Sequence, residues 1–169
     1  MLFSKSAALA LLLLSASPLS AGAAETPLPD AIAAPGETIV LTVHAEGAQV
    51  YECKAGNDGK LVWAFREPVA TLIADDKIFG RHYAGPTWEL TDGSAVAGKV
   101  AASAPGATAK DIDWLRLDVA SRRGSGMLSN VTTVQRINTI GGKLDDACDR
   151  PGDSRSMPYT ADYVFLRKG

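Results

Sequence analysis

From Thr38 to Leu166 the chain alternates apolar and polar residues with a period of two, in short runs separated by turn signals. In TIVLTVH the residues Ile39, Leu41 and Val43 share one face, with His44 alternating out of it. Glu46-Gly47 reads as a turn, and AQVYECK follows with Val50 and Tyr51 on opposite sides. AGNDGK is a hairpin loop, after which LVWAF directs Leu61, Trp63 and Phe65 inward. Pro68 has no backbone N–H, so it ends that pairing or forces an edge position. In TWEL, Trp88 and Leu90 share a face. Asp92-Gly93 then takes the two central positions of a tight hairpin that needs positive φ.

Further along, DIDWLRLDVA sets Leu115, Leu117 and Val119 on one face and Ile112, Trp114, Arg116 and Asp118 on the other. VTTVQRINTI has near-helical spacing at Val131, Val134 and Ile137. It is dominated by β-branched residues and closed by Gly141-Gly142, which predicts a bent or bulged strand. The last run, PYTADYVFLRK, lines one face with Tyr159, Ala161, Tyr163 and Phe165. No internal repeat and no long amphipathic helix interrupts the pattern. It predicts a single all-β domain with few or short helices, an antiparallel β-sandwich or β-barrel whose aromatic stripes form the core.

The ends carry a different signal. Lys5 precedes the apolar run Ala7 to Leu14, and small residues Ser20 to Ala24 follow Pro18, which is the order of an export signal over residues 1–24. The apolar run is short of the ~20 residues that span a bilayer, so the chain is not expected to span a membrane once the signal is removed. Residues 25–37 are rich in proline and alanine and read as an extended arm. Residues 38–169 form the β-rich domain, and the protein is expected in the periplasm or outside the cell.

A net charge of −2 without a basic stripe gives no electrostatic footprint for nucleic acid. Both cysteines, Cys53 and Cys148, lie in the exported part, where two lone thiols pair. Closing so long a loop stabilises the fold by roughly 4–5 kcal/mol before native strain is counted.

Candidate chemistry gathers around GRHYAGPTWELTDG, Gly80 to Gly93. His82 is the best placed side chain for acid, base or ligand work, with Glu89 or Asp92 to orient it. The bland alternative is a histidine bonded to a backbone carbonyl beside Trp88. Arg136, in mid-strand, either pairs with a carboxylate such as Asp162 or clamps an anionic ligand. Two histidines and two paired cysteines make a poor metal set, and Asp75-Asp76 and Asp145-Asp146 lack the spacing of a calcium loop. Nucleophile elbow, P-loop and dinucleotide fingerprint are all missing, and nothing calls for a cofactor.

A string of motifs then resembles an exported family, domain-of-unknown-function family 3455. It consists of Tyr51-x-Cys53, Trp63-x-Phe65 with Pro68, His82-Tyr83-Ala84-Gly85-Pro86-Thr87-Trp88-Glu89, and Asp92-Gly93-Ser94. Asp113-Trp114-Leu115, Gln135-Arg136-Ile137-Asn138-Thr139 before Gly141-Gly142, Cys148 and Tyr159-x-Ala161-Asp162-Tyr163-x-Phe165 complete it. The resemblance implies one secreted or periplasmic domain with Cys53 paired to Cys148, and no particular activity. The first functional expectation is a non-enzymatic domain that binds a small molecule or an envelope component in a cleft of His82, Trp88, Glu89 and Arg136. Two alternatives stand beside it. One is a hydrolase or lyase with His82 as general base and Glu89 or Asp92 as orienter. The other is a structural surface protein with no ligand site.

Overall fold

The computed structural model describes residues 27–169, and the export signal read over residues 1–24 lies outside them. Eight strands follow one another: β1 (Thr38–Ala55), β2 (Leu61–Ala74), β3 (Lys77–Tyr83), β4 (Thr87–Leu90), β5 (Ala95–Ala104), β6 (Trp114–Arg123), β7 (Thr133–Gly141) and β8 (Ser154–Arg167). Each pairs antiparallel with the next, and β8 returns to β1, so the sheet is a closed barrel and not a sandwich. Alternation then has one meaning along every strand: one set of side chains fills the barrel and the other faces out.

β8 shows this most plainly. Tyr159, Ala161, Tyr163 and Phe165 are all buried in the core, with Val43, Leu72, Trp88, Leu90, Val96, Leu117 and Val134 around them. The outer wall instead carries His44, Glu46, Arg81, Glu89, Asp118 and Asp162. Among the described residues no helix is long and apolar enough to cross a membrane.

Three local readings are corrected. Glu46-Gly47 is not a turn; β1 runs straight through it, with Gly47 opposite Ala70 on one side and Tyr159 on the other. Glycine is needed there because a Cβ would run into the Val69 carbonyl and Ala70, so the residue marks a close approach of strands. Ile39 does not share a face with Val43, because the register shifts between Ile39 and Leu41; Ile39 is 61 % exposed and Val43 1 %. Asp92-Gly93 is not a two-residue turn either. Gly93 alone has positive φ, and its N–H bonds the Leu90 carbonyl at 3.0 Å, so a tight turn over Leu90–Gly93 is followed by one left-handed glycine. The two-residue turn with both φ positive is Asp75-Asp76, between β2 and β3, which accounts for that acidic pair.

Pro68 stays inside β2, opposite Gln49, and does sit on an unpaired edge: β3 joins β2 only from Ala70 onward. The strand over 133–141 is bulged as its composition predicts, with Asn138 at φ 51° and a register shift between Ile137 and Ile140.

One end of the barrel is closed by the loop between β6 and β7, whose Leu128 and Val131 are fully buried in the core. Asp92 staples that loop down by accepting from Met127 N at 2.7 Å, while Ser94 Oγ accepts from Leu128 N at 3.2 Å. Residues 27–37 lie against the outside of β5, β6 and β7. Ile32, in a short 3-10 turn, is fully buried with Ala104 and Trp114, and its carbonyl accepts from Gln135 Nε2 at 2.7 Å. Thr133 donates to Glu37 at 3.0 Å. Outward-facing Gln135 and Thr133 are therefore buried by the arm and not by the core. Cys53 and Cys148 form a disulfide with Cα atoms 5.8 Å apart.

Gly93 sits in open space, so only its φ of +82° restricts substitution. Gly93→Val is expected to lower stability by roughly 1–3 kcal/mol, and Gly93→Asn by less, because asparagine tolerates the left-handed region. Urea unfolding measures both, and equal midpoints for the two variants would contradict this account of the turn.

Candidate functional site

β3 and β4 place His82 and Trp88 directly opposite each other on the inner face. The turn between them bends at Gly85, φ +85°, and Thr87 Oγ1 holds it by donating to the Ala84 carbonyl at 3.0 Å. The cross-strand pair is thereby stacked, with ring centroids 4.6 Å apart and planes 6° from parallel, and Tyr163 meets both rings edge-on at 4.9 and 5.3 Å. His82 Nδ1 lies 2.9 Å from the Thr87 carbonyl. A carbonyl only accepts, so Nδ1 carries the proton and Nε2 is left as an acceptor. Burial pushes the imidazole pKa down from 6.5 to about 3, the Thr87 carbonyl opposing and the Arg136 charge assisting. His82 is a neutral ring at any ordinary pH.

These rings form part of the lining of a cavity of about 460 Å³ inside the barrel. Its opening follows from unequal strand lengths. β3 and β4 form a short hairpin that ends at the Ala84–Pro86 turn, so β2 before Ala70 and β5 beyond Gly98 have no ladder partner on that side. Phe65, Pro68, Pro86 and Val100 line the cavity there, and Phe65 and Val100 are each 52 % exposed. Over the same end, the loop between β7 and β8 contributes Lys143, Leu144 and Asp145. An isolated bridge from Val62 to Ala147 and the Cys53–Cys148 disulfide hold that loop to the barrel.

Arg136 enters from β7, its neighbours across the ladders being the inner residues Leu115 and Tyr163. Its Nε and one terminal nitrogen both donate to the Asp113 carbonyl, at 3.0 and 2.7 Å. The carboxylate proposed from sequence to pair with it, Asp162, is on the outer wall, held by His44 at 2.8 Å and Asn138 at 2.8 Å. Deeper in, the Tyr159 and Tyr163 hydroxyls are 3.2 Å apart, and burial raises the pKa of both.

Of the residues singled out from sequence, His82, Trp88 and Arg136 therefore line one cavity, while Glu89 and Asp92 do not reach it. Glu89 faces outward and accepts from Tyr83 Oη at 2.8 Å, Arg123 at 2.6 Å and Arg81 at 3.1 Å. These partners hold its carboxyl down at about 2, the tyrosine hydrogen bond contributing most. Asp92 belongs to the closed end. Neither carboxylate orients His82, whose Nδ1 is already committed to a backbone carbonyl. Sequence reasoning passed over Gln49, Tyr51 and Ile112 as lining residues. Ile112 was assigned to the face of Trp114, but it precedes β6 and packs into the core by bonding Gly141 through its N–H at 2.9 Å.

The chain matches the family described as "Protein of unknown function (DUF3455)" over residues 34–78 and 73–167, and it belongs to that family. No curated protein and no solved structure matches it.

The buried neutral histidine has a consequence for stability. Its folded pKa lies below the unfolded value of 6.5, so as pH falls from 6.5 toward about 3 the unfolded chain takes up a proton that the folded chain refuses. Stability is expected to decline through that window. In its upper part, above the carboxylate range, His82→Gln should flatten the decline while keeping an N–H for Thr87. Urea midpoints measured against pH for both proteins test this, and parallel profiles would show that His82 is not buried neutral.

Proposed function

We propose that this member of the family is a non-enzymatic binding protein that takes a small, largely apolar molecule into its barrel, outside the cytoplasm. The observation that carries this reading is the open cavity itself. It falls within the roughly 300–1,000 Å³ usual for small-molecule sites, and combines apolar and aromatic walls with few polar groups. Well-packed interiors leave few voids larger than a water molecule, so a space of this size that opens to solvent needs an occupant or a cost.

The disulfide and the charged outer wall are compatible with an exported, water-facing domain. General-base chemistry at His82 is the weaker reading. An imidazole whose conjugate acid has a pKa of about 3 accepts protons poorly near neutral pH, and no carboxylate orients it.

N-phenylnaphthylamine, a neutral dye that brightens in apolar surroundings, is expected to bind the wild-type protein with a blue-shifted gain in emission. Leu115→Trp fills the cavity from β6, and Val100→Trp blocks its side opening. Each should weaken dye binding at least tenfold, with circular dichroism of the fold retained. No emission gain with wild type, or full binding by both folded variants, would sink the reading.

A further inference from the structure

The polar groups inside this barrel are unbalanced in charge and in hydrogen bonding. Arg136 is inward-facing, and its two hydrogen bonds go to a backbone carbonyl, which carries no net charge. Two of its five N–H groups are used in this way, so three remain, with the Tyr163 hydroxyl as neighbour. The acids nearest the opening are otherwise disposed: Asp145 lies at the rim with Lys143 Nζ 3.9 Å away, and Asp113 is exposed. Among the described residues Arg136 forms no ion pair. Arg136 is half-buried, so its guanidinium is partly desolvated beside an apolar cavity, where an anion gains more from it than in open water.

Two more polar side chains belong to residues that line the same space. Gln49 and Trp88 line the cavity, are 2 % and 1 % exposed, and have Nε2 and Nε1 respectively without a hydrogen-bond partner. Both atoms are closed off from solvent, as are the unpartnered donors of Trp63, Trp114 and Arg116, which do not line the cavity, so it is Arg136 that an entering ligand would meet. What Arg136 lacks is a charged acceptor. The rings of Phe65 and Tyr51, with the stacked His82–Trp88 pair in the same wall, suit a ring-bearing body, and a single guanidinium with a free edge suits one planar oxyanion better than a doubly charged phosphate.

Building on the small-molecule reading above, we propose that the ligand is an organic monoanion, a carboxylate on an aromatic or ring-bearing body. Its carboxylate pairs with Arg136, and its rings lie among Trp88, Tyr51 and Phe65.

The test uses naphthoate, naphthamide and N-phenylnaphthylamine as probes against wild type, Arg136→Gln and Arg136→Lys. Wild type should bind naphthoate at least tenfold more tightly than naphthamide. Arg136→Gln should lower naphthoate affinity at least tenfold, against a much smaller change for naphthamide and the neutral dye, and Arg136→Lys, which keeps the charge and loses the fork, should fall between. Equal affinity of wild type for acid and amide overturns the proposal, as does an Arg136→Gln protein that binds naphthoate like wild type. Dye binding without naphthoate binding overturns it while the small-molecule reading stands; absence of dye binding removes both. Should Arg136→Gln not fold, the wild-type preference between acid and amide decides.

Discussion

β1 has both of its backbone edges in ladders, one to β2 and one to β8, and that double pairing turns a simple meander into a closed barrel. A strand of this length can serve both neighbours only if it bends, and it does so at register shifts after Ile39 and between Val50 and Tyr51. Gly47 lies between them, where a side chain would collide with β2. Closure removes the two outer edges of the sheet and gives every inward side chain the same interior, including His82, Trp88, Arg136 and Tyr163, which come from β3, β4, β7 and β8.

Closure does not make the wall complete. β3 and β4 are too short to cover β2 and β5 along their whole lengths, and the exposed strand edges that result are normally a hazard for aggregation. The chain protects them in several ways. Pro68 stands on the open edge of β2, where the missing N–H costs nothing. The loop after β7 crosses the end of the barrel to Val62, and the disulfide anchors it to β1, where Cys53 also exchanges backbone hydrogen bonds with Asp153 at 2.8 Å and Gly152 at 2.9 Å. The Cys53–Cys148 bond thus does more than restrict the unfolded chain: it fixes the rim of the cavity.

The fold was legible where alternation is uninterrupted. Tyr159 to Tyr163 has a polar residue between each inward one, Thr160 and Asp162, and it reads correctly because burial on one side sets its pattern. It was misread where a glycine answers to a neighbouring strand and not to its own. Gly47 looks like a turn residue, since nothing local distinguishes a glycine kept for positive φ from one kept for lack of a Cβ. Gln135 and Thr133 are likewise polar yet buried, because the arm covers them, and period-two reasoning has no term for a covered outer face. Of the cavity lining, His82, Trp88 and Arg136 were visible as unusual residues, though the sequence did not show that His82 and Arg136 face inward. Glu89 was misassigned although TWEL places it on the face opposite Trp88; the attraction of a nearby carboxylate outweighed the alternation that excluded it.

His82 and Arg136 share a cavity, and their states are coupled by the same low polarity. Removing water from around a histidine favours its neutral form, and a nearby guanidinium favours it further. Arginine cannot respond in kind, because its pKa is too high to lose the proton, so it keeps its charge whatever the surroundings cost. The cavity wall therefore holds the half-buried Arg136 cation and one ring that has given up its own charge. The Asp113 carbonyl satisfies the direction of two N–H bonds without cancelling the field. A core selected for stability alone would replace Arg136 with a leucine and fill the space. Retaining a cation and an open side in one barrel forgoes stability, which the binding role proposed for the cavity would explain.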